Sequence, residues 1–241
     1  MNIVVLGSKR SGKSSILKKI FHKISNYETL FLESTSNIQE FSVNNNNFNK
    51  CCFYDFPGSF EITQMNSIEL KHLESAQILI YVLDAKDEPY NKNIEKFLTI
   101  QGEIYEMNPF CVFELLVHKV DGEMFAEEGA KNVLFYEISE LIKLSSQERN
   151  LQPCEIYLTS IMDYSVYVCM SRILQKLNPV LASFQEALDV FISVSMIEKV
   201  YIIDVISKLF ISTDSRPIDN LSYEWCCDAI DVTIELSNIY G

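Results

Sequence analysis

Residues 2–15 read NIVVLGSKRSGKSS, an apolar run followed by a glycine-rich turn and the start of a helical pattern. Four of these positions fit the spacing G-x-x-x-x-G-K-S, namely Gly7, Gly12, Lys13 and Ser14. In this pattern the backbone N–H groups curl around phosphate oxygens, the lysine reaches the β- and γ-phosphates, and the serine hydroxyl is a ligand of Mg²⁺. A strand is predicted at residues 2–6 and a helix at Lys13–Ile24. The stretch therefore predicts an α/β fold that binds a phosphorylated nucleotide.

Apolar runs and helical patterns alternate along the chain after this turn. The runs show little polar alternation, which is typical of strands covered on both faces. They are NIVVL (2–6), CCFYDF (51–56), ILIYVLD (78–84), CVFELLVH (111–118) and CEIYLT (154–159). Helical spacing is found at Lys13–Ile24, Asn91–Met107, Ala130–Leu144 and Val166–Leu177. This alternation predicts a doubly wound, mostly parallel sheet. Residues 25–50 are predicted to form a long connection, and we interpret its NNNNFN run as a tolerated surface loop.

Composition and charge indicate a protein of the cytoplasm. The net charge of −13 over 241 residues argues against attraction to nucleic acid or to anionic lipid. We therefore expect any contact with a membrane to be made through a partner protein. The seven cysteines form no C-x-x-C pair, so we expect buried thiols in a reducing compartment rather than zinc ligands or disulfides. The start, MNIVVLGSKR, has no signal-peptide pattern, and no apolar stretch reaches transmembrane length.

The stretch YDFPGSFEI, residues 54–62, is similar to the phosphate-sensing loop of GTPases. Asp55 is placed to hold Mg²⁺ through a water molecule, and Gly58 is placed to sense the γ-phosphate. Ser59 stands where many GTPases keep a glutamine that orients the attacking water. Because the serine side chain is short, we expect nucleotide binding to be retained and hydrolysis to be slow.

Two further stretches point to guanine as the base. HKVD resembles the N/T-K-x-D motif, in which the aspartate, here Asp121, accepts hydrogen bonds from the guanine N1–H and 2-amino groups. The aliphatic stem of Lys119 is expected to pack along the base, and His118 replaces the usual asparagine, with a site role favoured by its register. YLTSIMD follows the last strand and resembles the loop whose backbone contacts guanine O6, through Ser160 and Ile161.

The connection between the two phosphate motifs supplies further hydroxyl groups. The stretch ETLFLESTSNI contains Thr29, Ser34 and Thr35. Of these, Thr35 is the best candidate to contact Mg²⁺ and the γ-phosphate through its hydroxyl and backbone. The predicted nucleotide-binding residues are Gly7, Arg10, Ser11, Gly12, Lys13, Ser14, Ser15, Thr29, Thr35, Gly58, His118, Lys119, Asp121, Ser160 and Ile161. The predicted metal-binding residues are Ser14, Thr35 and, through water, Asp55. The predicted catalytic positions are Lys13, Thr35 and Ser59, the last a degenerate one.

The pattern changes after KLNPVL, and we place a domain boundary near Asn178–Pro179, which divides the chain into residues 1–178 and 179–241. The second part is predicted to be an α-β-β-α piece. Its elements are a helix at Phe184–Ser193, strands at 199–207 and 208–213, a turn at SRPID and a helix at Tyr223–Leu236. Since two strands do not make a good independent sheet, we expect that this domain is incomplete or is completed by another chain.

Several stretches together resemble the C/D branch of the Rag GTPases, and they cover nearly the whole chain. They are SGKSSI, FHKISNYETLFLEST, DFPG, ILIYVLDA, HKVDG, YLTSI, TDSRPID and YEWCCDAIDV. The resemblance implies a P-loop G domain followed by a roadblock-type α+β domain, and a heterodimer with a Rag A/B-type partner. It also implies a role in reporting amino-acid sufficiency to the target-of-rapamycin kinase complex. Such pairs are held at lysosomal or vacuolar membranes by a scaffold complex rather than by a lipid anchor of their own.

This chain departs from the family pattern at two places. Ser59 stands where the family has glutamine, and the family's roadblock-type domain continues beyond the α-β-β-α piece predicted here, with further strands and a closing helix. The main interpretation is a switch that binds GTP or GDP with Mg²⁺ and hydrolyses GTP slowly. A nucleotide-locked interaction subunit without activity is an alternative. A P-loop kinase is a third, against which HKVD and DFPG both argue.

Overall fold

The computed structural model describes residues 1–45 and 49–240. Within them the chain forms two compact units that divide between Met162 and Asp163. The boundary predicted near Asn178–Pro179 lies inside the second of these units, so the division into residues 1–178 and 179–241 as functional domains stays a prediction. The Asn run was interpreted as a surface loop, and its residues 46–48 lie outside the described part of the chain.

The first unit contains a six-stranded sheet. Its strands are β1 (Asn2–Gly7), β2 (Gln39–Asn45), β3 (Asn49–Asp55), β4 (Ile78–Asp84), β5 (Val112–His118) and β6 (Glu155–Thr159). The strand order is β2-β3-β1-β4-β5-β6, and every neighbouring pair is parallel except β2 with β3. The predicted fold class, a mostly parallel α/β sheet, is therefore confirmed.

Continuous burial explains why the central strands have no polar alternation. Ile3 to Leu6 in β1 and Ile78 to Leu83 in β4 are each at most 2% exposed. Since neighbouring side chains of a strand point to opposite faces, both faces of these strands are covered. The helices of this unit are α1 (Lys13–His22), α2 (Ser67–Glu74), α3 (Asn91–Met107) and α4 (Glu128–Arg149). The helix α4 is longer at both ends than predicted, whereas α3 has the predicted bounds.

The strand β2 lies in residues 25–50, which were predicted to form a long connection and for which no strand was predicted. It pairs antiparallel with β3 at the edge of the sheet, where Phe41 is opposite Phe53. Phe41 is buried, while Gln39, Glu40 and Ser42 are exposed. Among Gln39 to Ser42, Phe41 is the one apolar residue, so this part of the edge strand shows no apolar run that would identify it from sequence.

The second unit contains three helices and a two-stranded sheet in its described residues. The elements are α5 (Ser165–Gln175), α6 (Leu181–Val194), β7 (Tyr201–Ile203), β8 (Phe210–Thr213) and α7 (Asn220–Tyr240). The helix α5 joins this unit because Val168 packs with Phe210, Tyr223 and Cys227, and the Phe210 N–H donates to Ser171 Oγ at 3.0 Å.

The two predicted strands at 199–207 and 208–213 are shorter in the structure, and a turn separates them. Asp204 accepts hydrogen bonds from the Ser207 N–H at 2.7 Å and the Ser207 hydroxyl at 2.6 Å. Lys208 adopts a left-handed backbone with φ 63°. Local side-chain acceptors of this kind stabilise turns at the expense of strand pairing. No helix in the described residues is long and apolar enough to cross a membrane.

Candidate functional site

The turn after β1 forms a compact cradle at the carboxyl end of the sheet. Gly7 and Gly12 have φ of 144° and 105°, and a Cβ on Gly7 would lie 2.2 Å from the carbonyl oxygen of Val82. Lys13 is 5% exposed, and its Nζ donates to the carbonyl oxygens of Gly7 and Ser8, both at 2.9 Å. Burial lowers the pKa of Lys13 to about 8, although the nearby Asp55 acts in the opposite direction. The lysine is thus held inside the turn whose N–H groups are expected to bind phosphate.

Three side chains from separate segments meet beside this turn. Ser14 at the start of α1 donates a hydrogen bond to Asp55 Oδ2, and its hydroxyl lies 2.8 Å from that of Thr35. The Thr35 hydroxyl also lies 3.4 Å from Asp55 Oδ2. These are the three residues that the sequence predicted as metal-binding, although 20 residues separate Thr35 from Asp55 in the chain.

The donor set of this cluster fits Mg²⁺. The other carboxylate oxygen, Asp55 Oδ1, is buried and has no hydrogen-bond partner among the described residues. Burial raises the pKa of Asp55, while the hydrogen bond from Ser14 and the charge of Lys13 act in the opposite direction. A buried carboxylate of this kind is stabilised by added positive charge. Hydroxyl and carboxylate oxygens are also the ligands that Mg²⁺ prefers.

The segment after β3 packs closely against the phosphate-binding turn. A Cβ on Gly58 would lie 2.4 Å from the Cα of Lys9 and 2.6 Å from its backbone nitrogen. Phe56 and Phe60 on either side are buried and contact each other, with ring centroids 5.1 Å apart. Ser59 between Gly58 and Phe60 is exposed. The segment is therefore anchored by its aromatic residues and approaches the turn closely at a residue without a side chain.

We expect Gly58→Ala to lower the affinity for GTP about tenfold relative to that for GDP, because the added methyl group pushes the segment away from the γ-phosphate side of the turn. Competition binding with both nucleotides measures the ratio. Gly129→Ala is the matched control, since a Cβ on Gly129 in α4 meets no atom within 4 Å. An unchanged GTP-to-GDP ratio in Gly58→Ala would contradict a γ-phosphate-sensing role for Gly58.

The other end of the site is built by the residues that follow β5 and β6. Asp121 is exposed, and its Oδ1 accepts a hydrogen bond from the Ser160 hydroxyl at 2.7 Å. Ser160 is fully buried, and its Oγ also accepts the Met162 N–H at 2.9 Å. This arrangement holds the Asp121 carboxylate through one oxygen. The Ser160–Asp121 hydrogen bond connects HKVD and YLTSIMD, the two stretches that were predicted from the sequence to bind guanine.

His118 contacts the phosphate turn as well as the base end. It is 1% exposed, and its Nδ1 lies 3.0 Å from the hydroxyl of Thr159. A Cβ on Gly12 would lie 2.4 Å from His118 Cδ2. The imidazole therefore occupies the space that glycine leaves, which explains why a side chain larger than asparagine is accommodated at this position.

The predicted contacts of five further residues with a nucleotide are not tested by the structure. Thr29 is buried, and its hydroxyl donates to the carbonyl oxygen of Asn26 at 2.6 Å, within its own turn. Ser15 and Ile161 are half-buried, and Arg10 is exposed, with φ 65°. The buried Ser11 Oγ has no hydrogen-bond partner among the described residues. Contacts of these five residues with a nucleotide stay predictions.

Three residues near the site were not identified from the sequence. Lys9 supplies the backbone that faces Gly58, Thr159 orients His118, and Asp84 at the end of β4 pairs with Lys119. Only Asp84 had a signal in the sequence, because an aspartate that ends a buried parallel strand lies at the edge where such sheets bind ligands.

Comparison with known proteins agrees with this geometry. The conserved region of Gtr1/RagA G proteins matches residues 2–230. The human Ras-related GTP-binding protein C is 39% identical over 241 residues, an alignment that covers 99% of this chain and 59% of that protein. GTP-binding protein gtr2 of Schizosaccharomyces pombe is 35% identical over 241 residues, with 99% and 75% covered. Ras-related GTP-binding protein A of Dictyostelium discoideum is 24% identical over 222 residues, with 90% and 70% covered. The chain spans about 60% of the length of the mammalian C-type relatives.

Proposed function

Because the chain belongs to the Gtr1/RagA family of G proteins and is most similar to its C/D-type members among these relatives, we propose that it is a guanine-nucleotide switch subunit of the Rag C/D type. It binds GTP and GDP with Mg²⁺ and hydrolyses GTP slowly. The observation that carries the proposal is the meeting of Ser14, Thr35 and Asp55 beside the phosphate turn.

The residues of the turn have distinct tasks in this proposal. Lys13 neutralises charge on the β- and γ-phosphates, and the backbone N–H groups between Gly7 and Lys13 orient the phosphate chain. Ser14, Thr35 and, through water, Asp55 would hold Mg²⁺, which would neutralise phosphate charge. Hydrolysis is attack of water on the γ-phosphate, and it depends on positioning rather than on covalent chemistry by the protein. Ser59, at the usual glutamine position, is exposed and has a short side chain without an amide, which supports slow hydrolysis.

The purified chain tests this function through its nucleotide content and turnover. We expect it to retain GDP or GTP, to bind both in the presence of Mg²⁺, and to bind ATP at least about 100-fold more weakly, because Asp121 accepts hydrogen bonds that adenine does not donate. Chelation of Mg²⁺ should accelerate nucleotide release. Equal binding of ATP and GTP would favour a P-loop kinase and overturn the proposal.

The proposal extends to assembly and signalling. The chain pairs with a Rag A/B-type GTPase and reports amino-acid sufficiency to the target-of-rapamycin kinase complex. It is cytoplasmic and reaches the lysosomal or vacuolar surface through its partners and a scaffold complex. Support comes from the C-type relative at 39% identity, whereas the A-type relative is 24% identical, as expected if two branches supply the two subunits.

An exposed apolar stripe on α7 supports a need for a partner. Leu221, Trp225, Val232, Leu236 and Ile239 follow helical spacing and are 50–71% exposed. Apolar side chains grouped in this way on one face of a helix often mark an interaction surface. We therefore assign the α7 stripe to the subunit interface.

We expect Trp225→Glu with Leu236→Glu to weaken binding to the Rag A/B-type partner at least tenfold, since buried aromatic residues dominate interface energies. Analytical ultracentrifugation of the chain with and without the partner measures this. Phe110→Glu is the control, because Phe110 is 91% exposed on the first unit, outside the stripe. A chain that stays a dispersed monomer at high concentration and ignores the partner would contradict the assignment.

A further inference from the structure

Asp84 ends β4 and makes two contacts with different partners. Its Oδ2 lies 2.5 Å from Lys119 Nζ, and its Oδ1 accepts the Lys86 N–H at 3.0 Å. The side chains of Asp84 and Lys119 are 18% and 31% exposed, so the ion pair is partly shielded from water. The Lys86 contact fixes the carboxylate in the turn, and the second oxygen is left for the lysine.

Lys119 joins the base end of the site to the phosphate turn. The same Nζ donates to the carbonyl oxygen of Arg10 at 2.7 Å. Both Lys119 and Arg10 have left-handed backbones, with φ of 69° and 65°. A lysine side chain has a long flexible stem, so its position between two segments has to be stabilised by fixed acceptors.

The sheet brings the fixed acceptor to the right place. Asp84 is in register with His118, the residue before Lys119, and the Ala85 N–H donates to the His118 carbonyl oxygen at 2.8 Å. The Asp84 carboxylate is thus positioned by a buried parallel strand and lies next to Lys119. Arg10 contributes only a backbone oxygen, which carries no full charge.

We propose that Asp84 is a positioning residue that sets the lifetime of the bound guanine nucleotide by holding Lys119 between the base end and the phosphate turn. The inference rests on the proposed nucleotide-binding function. Asp84 acts through Lys119, and therefore it affects release of GTP and GDP alike. The preference for guanine depends on Asp121, so we expect substitution of Asp84 to leave it unchanged.

The test is a double-mutant cycle on the full chain with fluorescent N-methylanthraniloyl-GDP as the probe. Asp84→Asn retains an oxygen for the Lys86 N–H and removes the charge that faces Lys119. We expect release of the probe to be about tenfold faster in Asp84→Asn, and faster also in Lys119→Met. In the Lys119→Met background, Asp84→Asn should change release by less than about twofold, because the partner through which it acts is absent.

Two results would overturn the inference. One is a release rate in Asp84→Asn within about twofold of wild type. The other is an effect of Asp84→Asn on release that is as large in the Lys119→Met background as in wild type, which would mean that Asp84 acts through its contact with the Lys86 N–H and not through Lys119. Glu123→Gln, the loss of one negative charge at an exposed position four residues after Lys119, is the control and should leave release unchanged. If the wild type does not bind the probe, both the proposed function and this inference are overturned. If the wild type binds the probe normally and Asp84→Asn releases it at the wild-type rate, only this inference is overturned.

Discussion

Asp121→Asn should convert the chain from a guanine-binding into a xanthine-binding protein, with the ratio of GTP to XTP affinity falling at least about 100-fold. The structure gives the physical reason. Ser160 donates to Oδ1 of Asp121, so an asparagine can keep its oxygen at that contact and present its amide nitrogen where the second carboxylate oxygen stood. The amide nitrogen is a donor, which suits the 2-oxo group of xanthine and opposes the 2-amino group of guanine.

Competition between GTP, XTP and ATP for the purified variant measures this change. Glu123→Gln removes the same charge two residues away on an exposed position and should leave all three affinities unchanged. Ser160→Ala should weaken GTP binding without creating XTP binding. It removes the hydrogen bond that positions the Asp121 carboxylate, but it keeps that carboxylate as the acceptor for guanine. An Asp121→Asn variant that still prefers GTP would show that Asp121 does not read the base.

Ser59→Gln should accelerate single-turnover GTP hydrolysis at least about tenfold, with little change in GTP affinity. Wild-type hydrolysis without a partner should be no faster than roughly 10⁻⁴ s⁻¹, the order of the intrinsic rate of Ras. Ser59 lies between the buried Phe60 and Gly58, which contacts the phosphate turn, so position 59 is anchored on both sides while its own side chain is exposed. A longer side chain with an amide therefore starts from a fixed point beside the γ-phosphate end of the turn.

Gln64 does not take the place of the missing glutamine in the structure. It lies in a short 3-10 helix, Ile62–Gln64, and α2 begins only at Ser67. Its Nε2 donates to Glu61 Oε2 at 3.2 Å, at an exposed position. Ser59→Ala is the control for Ser59→Gln and should hydrolyse GTP at the wild-type rate. Fast wild-type turnover without a partner, or no gain in Ser59→Gln, would refute the interpretation of the chain as a subunit that mainly holds its nucleotide.

Local patterns were enough to predict the sheet and most of the motifs. The bounds of β4 and α3 agree with the prediction, because continuous apolar runs and helical spacing report burial directly. The edge strand β2 and the turn between β7 and β8 were not predicted. Phe41 is the one residue with a covered side chain among Gln39 to Ser42, and the Asp204 turn depends on side-chain acceptors that compete with strand pairing.

The sequence by itself determined that the chain carries a phosphate-binding turn, a guanine-type motif and a serine in place of the usual glutamine, because each is a short pattern of residue types. Tertiary structure decided which residues meet. It brings Thr35 to Ser14 and Asp55, places His118 against Gly12, and pairs Asp84 with Lys119. Such contacts join segments that are distant in the chain, and they arise because parallel strands deliver the loops that follow them to one edge of the sheet.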